Sequence, residues 1–275
     1  MAAPKKGDVG GMFMSLAHTQ RSTRTLIAIP VYNEQKHVQQ VLERVLEHAP
    51  PPRQVLVIDD GSTDATPTLL AHFPVEVVRH STNRGYGRSM QDAFRWAAVD
   101  DFDWVITMDC DEQHEPAAIP RFVEAATAND ADVISGSRYL DLSANGDNPP
   151  QDRRAINAEI TAELNCRLNY NLTDAFCGFK AYRVEALKKL KLDVDGYAFP
   201  MQFWIQAAAA NLRVREIPVK LIYNDLKRSF GGPLDDPSVR LNHYRCVLHR
   251  ELRRMADRLP KRAIREDCDR KVACD

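Results

Sequence analysis

The chain has 275 residues, of which 44% are hydrophobic and 27% are charged, and these fractions are ordinary for a globular protein. They exclude wholesale disorder, collagen and coiled coil, and the length predicts one large domain with an appendage. Lys and Arg number 37 and Asp and Glu number 38, so the net charge of −1 predicts no nucleic-acid partner held by bulk charge. No apolar run reaches the roughly 18 residues that predict a membrane-spanning helix.

Changes in pattern divide the chain into three parts. Residues 1–23 have no apolar period and are expected to form a flexible tail, residues 24–232 hold the main domain, and residues 233–275 form a basic helical extension. The six cysteines form no C-x-x-C pair and follow no secretory signal, so free thiols in a reducing cytosol are expected.

Short β-branched runs alternate with helical patterns through the main domain. Strands are predicted at 26–29, 55–58, 75–78, 104–108, 133–135 and 214–223. Helices are predicted near 38–46, 64–72, 87–99, 116–128, 153–170 and 196–212. Asn33 is expected to cap the first helix. Strands that alternate with helices indicate βαβ units and a mainly parallel sheet, which binds ligands beyond the carboxyl ends of its strands.

Polar or glycine-rich segments follow the first five predicted strands. They read PVYNE at 30–34, DDGSTD at 59–64, NRGYG at 83–87, DCDEQ at 109–113 and GSRY at 136–139. Because these segments meet at one edge of a parallel sheet, they predict a shared site. The first strand is not followed by G-x-G-x-x-G, and G-x-x-x-x-G-K-[ST] does not occur, which disfavours a dinucleotide enzyme and excludes a P-loop ATPase.

Two acidic pairs are candidate functional groups. Asp109, Asp111 and Gln113 alternate after a strand, and their oxygen ligands suit Mg²⁺ or Mn²⁺, although a solvated acidic turn has the same pattern. Of Asp59 and Asp60, one could recognise a base or ribose while the other steadies the loop, and the alternative is an N-cap followed by a turn.

The segments PVYNE, DDGSTD, NRGYG, DCDEQ, GSRY and TDAFCGFKAYR, in this order, resemble family 2 glycosyltransferases over about residues 25–232. Within that family they are most similar to the polyprenol-phosphate and dolichol-phosphate mannosyltransferase branch. The resemblance implies the GT-A type nucleotide-sugar-binding α/β fold, with a mainly parallel sheet flanked by helices. It also implies an inverting, metal-dependent transfer of a sugar to a polyprenyl phosphate, with mannose from GDP-mannose as the leading donor. Alternatives are a UDP-glucose donor, a family 2 enzyme with a non-lipid acceptor, and a non-catalytic nucleotide-sugar-binding module.

The resemblance also assigns roles to particular residues. Those that would line the base and ribose are Pro30, Tyr32, Glu34, Ile58 and Asp60. Those that would hold Mg²⁺ or Mn²⁺ against the donor diphosphate are Asp109, Asp111 and Gln113, with Cys110 at the same turn. Arg138 would face the phosphates at the reaction centre, and Arg228 would close over the donor.

The acceptor phosphate is expected to meet basic side chains. Arg138, with Arg153 and Asn157 on the following helix, could hold it, and the alternative for Arg153 is a solvated basic helix start. The expected catalytic residues are Asp111, Arg138 and Arg228.

Three features bear on the later part of the chain. Leu234 stands where the family usually has a Lys that touches the diphosphate, and Gln202 stands where a Glu is frequent. An apolar stripe at helical spacing consists of Leu241, Tyr244, Leu248, Leu252, Met255 and Leu259. Eight Arg or Lys and two acidic residues lie between Ser238 and Arg262, which predicts a basic amphipathic helix. Either it attaches the protein peripherally to the cytoplasmic, inner face of the membrane, or it packs on the domain.

Overall fold

The computed structural model describes residues 23–52, 54–141, 147, 149–223 and 229–265. Seven strands lie in this part of the chain: β1 (Thr25–Val31), β2 (Val55–Asp59), β3 (Glu76–Arg79), β4 (Trp104–Thr107), β5 (Val133–Ser137), β6 (Lys180–Arg183) and β7 (Val214–Pro218). They form one sheet in the order β3-β2-β1-β4-β6-β5-β7. The strand β6 runs antiparallel to β4 and β5, and the remaining pairs are parallel.

The strand order creates a crevice at the carboxyl ends of β1 and β4. The chain moves outward from β1 to β2 and β3, and then returns to place β4 on the other side of β1. Ligands of open α/β sheets bind where the strand order reverses in this way. The segments at the ends of these two strands, at 30–34 and 109–113, therefore lie next to each other.

Helices cover both faces of the sheet. They are α1 (Val38–His48), α2 (Thr66–Leu70), α3 (Tyr86–Val99), α4 (Ile119–Thr127), α5 (Gln151–Leu168), α6 (Val184–Leu187), α7 (Phe199–Ala209) and α8 (Pro237–Arg254). One buried cluster contains Leu42 and Phe122 from α1 and α4. The other contains Phe94, Phe203 and Leu248 from α3, α7 and α8. The predicted α/β architecture, a mainly parallel sheet flanked by helices, is confirmed.

Some local predictions were wrong. Asn33 does not cap α1, which begins at Val38; its φ of 56° places it in a turn, where its Oδ1 accepts a hydrogen bond from the Thr63 N–H at 2.8 Å. The short strand β6 was not predicted, because its sequence KAYR shows no β-branched run. Cys166 is disulfide-bonded, contrary to the expectation of free thiols, whereas Cys110, Cys177 and Cys246 are free.

The apolar stripe on α8 faces the domain. Tyr244, Leu248 and Leu252 are buried in the same cluster as the side chains of α7. The buried carboxylate of Glu251 accepts a hydrogen bond from Gln206 Nε2 at 3.1 Å. The structure therefore favours packing on the domain as the role of this stripe. Within the described ranges, no helix is both long enough and apolar enough to cross a bilayer.

Candidate active site

A cavity of about 670 Å³ lies at the carboxyl ends of the strands. The predicted site residues that line it are Pro30, Tyr32, Glu34, Asp60, Asp109, Cys110, Asp111, Gln113, Arg138, Arg153 and Asn157. Ile58 is not among the residues that line this cavity, since its side chain is completely buried in the sheet. Arg228, which was expected to close over the donor, lies outside the described ranges. Most of the expected tail at 1–23 lies outside them as well.

The acidic turn after β4 points its carboxylates into the cavity. The Gln113 N–H donates to Asp111 Oδ1 at 3.1 Å, and the Asp109 N–H donates to Nδ1 of the buried His114 at 2.9 Å. A positive φ of 59° at Glu112 gives the turn its sharp bend. These contacts fix the backbone of the turn, so that the two carboxylates and the Gln113 amide border the same space.

Gly178 makes room for the Asp109 carboxylate. A Cβ at this position would lie 2.6 Å from Asp109 Oδ2 and 2.8 Å from Oδ1, closer than atoms normally approach. Gly178 also lines the cavity, two residues before the antiparallel strand β6. The residue type at 178 therefore sets the position of a predicted metal ligand.

Asp60 shapes the NRGYG segment at the edge of the cavity. Its carboxylate accepts the N–H groups of Arg84 and Gly85, each at 2.8 Å, and Oδ1 lies 2.6 Å from His80 Nδ1. Gly85 has a φ of 100°, a conformation that residues with a Cβ rarely adopt. Asp59 is turned away from this segment and pairs with Arg79 Nε at 3.1 Å. Asp59 Oδ1 also accepts the Ser62 N–H at 2.9 Å, so both carboxylates hold loops, and of the two only Asp60 borders the cavity.

Arg138 is held at the cavity wall by a buried ion pair. Its Nε donates to Asp174 Oδ2 at 2.6 Å and its Nη2 donates to Oδ1 at 2.9 Å, a bidentate arrangement. Burial alone would raise the pKa of Asp174, but the Arg138 guanidinium outweighs it and lowers that pKa to about 2. The same carboxylate raises the pKa of Arg138 further above its ordinary value, against the effect of burial. The pair stays ionised at neutral pH and gives the cavity a fixed cation.

Asn157 supports this ion pair. Its Nδ2 donates to Asp174 Oδ1 at 2.8 Å, and its Oδ1 accepts from Thr161 Oγ1 at 2.9 Å. Both ends of the amide are therefore engaged by protein groups, and its side chain is buried. This geometry gives Asn157 a part in orienting Asp174 and, through it, Arg138.

The wall beside these groups is aromatic. The side chains that form it are Tyr86, Phe176, Tyr182, Tyr197, Phe199, Phe203, Trp204, Phe230 and Tyr244. Trp204 Nε1 donates to the Ala175 carbonyl at 2.9 Å, which satisfies the polar atom of the largest member. Such a wall suits a sugar face or an apolar chain.

Gln202 is a buried residue of α7 and is not among the residues that line the cavity. Its Oε1 accepts the N–H groups of Asp193 and Val194 at 2.8 and 2.9 Å, and its Nε2 donates to Asp193 Oδ1 at 2.7 Å. Gln202 therefore orders the loop that precedes α7.

Sequence reasoning missed four residues that shape the cavity. Asp174 and Gly178 lie in TDAFCGFKAYR, which pointed to the family without giving either of them a role. Lys180 lies in the same segment and is buried at the cavity, where its Nζ donates to the Cys177 carbonyl and burial lowers its pKa. Arg240 had been counted only as one charge of the basic helix, and no signal in the sequence marked it.

Comparisons with known proteins agree with this architecture. The model for the family "Glycosyl transferase family 2" matches residues 26–191. The undecaprenyl-phosphate mannosyltransferase of Micrococcus luteus is 33% identical over 80% of this chain and 93% of that protein. The polyprenol monophosphomannose synthase of Mycolicibacterium smegmatis is 30% identical over 76% of this chain and 82% of that protein.

Solved structures share the fold. Glucosyl-3-phosphoglycerate synthase from Mycobacterium tuberculosis, crystallised with Mn²⁺, UDP and glucosyl-3-phosphoglycerate, superposes with a TM-score of 0.63 at 18% identity, covering 84% of this chain and 80% of that one. The fold is of the GT-A type. The chain belongs to glycosyltransferase family 2, as the sequence motifs predicted.

Proposed function

We propose that this glycosyltransferase moves a sugar from a nucleotide sugar to a polyprenyl phosphate, with mannose from GDP-mannose as the leading donor. One observation carries the proposal. A single cavity joins an acidic turn suited to a metal-bound diphosphate, a fixed arginine suited to a phosphate, and an aromatic wall. The names of the two curated relatives, both of which are polyprenol-phosphate mannosyltransferases, support the same acceptor class.

The donor side is assigned to the strand ends of β1, β2 and β4. Pro30, Tyr32 and Glu34 border the part of the cavity next to Asp60 and would meet the base and ribose. Tyr32 is 45% exposed, so its ring can be covered by a bound base. Ile58 would contribute to this part of the cavity only indirectly, as a buried residue of β2.

The residues after β4 fit a hard divalent cation. Asp109, Asp111 and Gln113 offer only oxygen ligands, and Gly178 leaves the space that the Asp109 carboxylate occupies. Among the described residues, no three His, Cys, Asp or Glu side chains form a metal site by themselves. Mg²⁺ commonly takes one or two carboxylates together with substrate phosphates and water, so two carboxylates suffice. When bound, the cation would neutralise charge on the leaving diphosphate.

The acceptor side is assigned to Arg138 and Arg153. A phosphate monoester is ionised near neutral pH, so its oxygen can attack C1 of the sugar without a general base. The new bond joins that oxygen to C1, the bond from C1 to the diphosphate oxygen breaks, and the nucleoside diphosphate leaves with the electron pair. One such displacement inverts the anomeric centre. The guanidinium of Arg138 is already oriented by Asp174, so it stabilises the developing charge without reorganisation.

We further propose peripheral attachment at the cytoplasmic face of the membrane. Arg253 lies in the last turn of α8, and Arg258, Lys261 and Arg262 follow the helix; all four basic side chains are exposed and support this location. Since the stripe itself faces the domain, attachment would depend on charge and would weaken as salt rises.

The test supplies the purified protein with Mn²⁺, polyprenyl phosphate in anionic vesicles and a panel of labelled nucleotide sugars, and then extracts the lipid. We expect label from GDP-mannose in the lipid fraction and sedimentation with vesicles at low salt only. Asp111→Asn should lower transfer at least 100-fold without a change in melting temperature, because it removes one anionic oxygen ligand without changing volume. Glu112→Gln, in the same turn but not among the residues that line the cavity, is the matched control and should keep most activity.

Other results would select among the alternatives. Label from UDP-glucose would change the donor, and label only in a soluble acceptor would exclude the lipid. Binding of nucleotide sugars without turnover would indicate a non-catalytic module. Full activity of Asp111→Asn after chelation of metals would contradict the proposed metal site.

A further inference from the structure

The segment that precedes α8 forms part of the cavity wall without a lysine. Leu234 occupies the position where one was expected. The Asp235 carboxylate instead accepts from Ser229 Oγ at 2.6 Å and from the Phe230 N–H at 2.8 Å. These bonds curl the segment and place the Phe230 ring at the cavity.

A different cation lies at the same wall. Arg240 of α8 is 3% exposed and lines the cavity. Its Nη1 donates to the Leu234 carbonyl at 2.9 Å, and its Nη2 donates to Asp152 Oδ2 at 2.5 Å. Arg240 therefore connects the start of α8 to the first turn of α5, where Arg153 is the next residue.

The ring of Phe230 contacts two guanidinium groups. The Cζ atoms of Arg240 and Arg153 lie 4.6 and 4.8 Å from the ring centroid. The ring of Tyr197 meets it at 88°, with centroids 5.4 Å apart. Arg153 is thus held by stacking on a ring that Arg240 and Tyr197 also contact.

We propose that Arg240 is a positioning residue for the acceptor phosphate: it holds Phe230 against Arg153, so that the Arg153 guanidinium meets a phosphate monoester that carries an apolar chain. The inference rests on the proposed function, because that function gives Arg153 its ligand. A planar guanidinium can stack on a ring while it donates two directed hydrogen bonds, which an ammonium group cannot reproduce. The helix α8 then completes the catalytic cavity, in addition to packing on the domain.

Two variants of the full chain test the contact. Arg240→Lys keeps the charge and loses the planar stack, and Phe230→Leu keeps apolar volume and loses the ring. Each should weaken binding of farnesyl phosphate, a short polyprenyl phosphate, and raise the KM for polyprenyl phosphate. We expect a change of about fivefold, which corresponds to about 1 kcal/mol, the usual strength of a partly buried cation–π contact.

The double variant should be no worse than either single variant, because both remove one shared interaction. Affinity for the nucleoside diphosphate should change by less than twofold. Arg245→Lys is the matched control: Arg245 lies on the same helix, pairs with Glu159 and Glu163, and is not among the cavity residues. It should leave farnesyl phosphate binding unchanged.

Three outcomes are separable. Unchanged farnesyl phosphate binding in Arg240→Lys and Phe230→Leu, or fully additive losses in the double variant, would overturn the inference. An equal loss in Arg245→Lys would also overturn it, since the effect would then come from general loosening of α8. If the unaltered protein binds farnesyl phosphate but transfers no sugar to it, the proposed function fails, while the binding series still decides the role of Arg240.

Discussion

Replacement of Gly178 by Ala tests how tightly the Asp109 carboxylate is placed. The added Cβ would lie 2.6 Å from Asp109 Oδ2, whereas a carbon and a carboxylate oxygen normally stay about 3.3 Å or more apart. The carboxylate must therefore retreat by about 0.7 Å. Its side chain is 33% exposed and can rotate, so we expect a cost in folding free energy of no more than about 1 kcal/mol, or a shift in melting temperature of about 2–4 °C.

The effect on transfer should be far larger. Oxygen ligands of Mg²⁺ lie within a narrow range of about 2.0–2.1 Å, and misplacement of a catalytic group by about 1 Å can lower a rate about 100-fold. We expect Gly178→Ala to lose about 30- to 100-fold in kcat, or about 2–3 kcal/mol of transition-state stabilisation. Its Mn²⁺ affinity, measured by calorimetry with a nucleoside diphosphate present, should fall in parallel.

Gly196→Ala is the matched control for this experiment. Gly196 also lines the cavity, but a Cβ there would have no neighbour within 4 Å. The control should keep the Mn²⁺ affinity and most of the transfer rate. If Gly178→Ala kept both its rate and its Mn²⁺ affinity, Asp109 would not be a ligand whose position matters.

Two further predictions concern the ion pair at the cavity wall and the C-terminal helix. Asp174 has a pKa of about 2, below its unfolded value near 3.8, so its contribution to stability is present above pH 4 and is lost as the pH falls toward 2. Arg138→Gln should lower the free energy of unfolding at pH 7 by about 3–5 kcal/mol and this deficit, measured by urea titration, should shrink below pH 4; a deficit independent of pH would contradict the buried pair. Truncation before Pro237 removes three large buried side chains, Tyr244, Leu248 and Leu252, worth about 2–4 kcal/mol each, so the product should unfold or aggregate in a thermal scan. A truncated chain with an unchanged melting temperature would show that α8 is separable.

The sequence predicted those parts of the fold that its local pattern determines. The central parallel strands are buried on both faces and therefore appear as apolar runs, such as 26–29 and 55–58. The strand β6 was not predicted, because its end residues are charged and it has no β-branched run. The Lys180 ammonium group donates a hydrogen bond to the Cys177 carbonyl. The Arg183 guanidinium stacks on the Trp104 ring, with its Cζ 4.7 Å from the ring centroid. These compensations arise from tertiary contacts, which a strand pattern does not encode.

The same division applies to the cavity. Residues that come soon after strands, such as Asp109 and Arg138, line the cavity, because the sheet topology alone brings strand ends together. The groups that orient them come from distant parts of the chain. Asp174 is 36 residues from Arg138, and Arg240 is 88 residues from its partner Asp152. No spacing rule connects such pairs, so their roles became visible only in three dimensions.

The two acidic residues before α8 show how this wall is built. The carboxylates of Asp235 and Asp236 both accept hydrogen bonds from nearby backbone N–H groups. Asp235 curls its segment through Phe230, and Asp236 caps α8 by accepting the N–H groups of Ser238 and Val239. The cap fixes where the helix begins and hence where Arg240 lies, four residues later. The position of Arg240 in the cavity wall therefore depends on the helix start, which Asp236 caps, as well as on the preceding segment, whose Leu234 carbonyl accepts a hydrogen bond from Arg240.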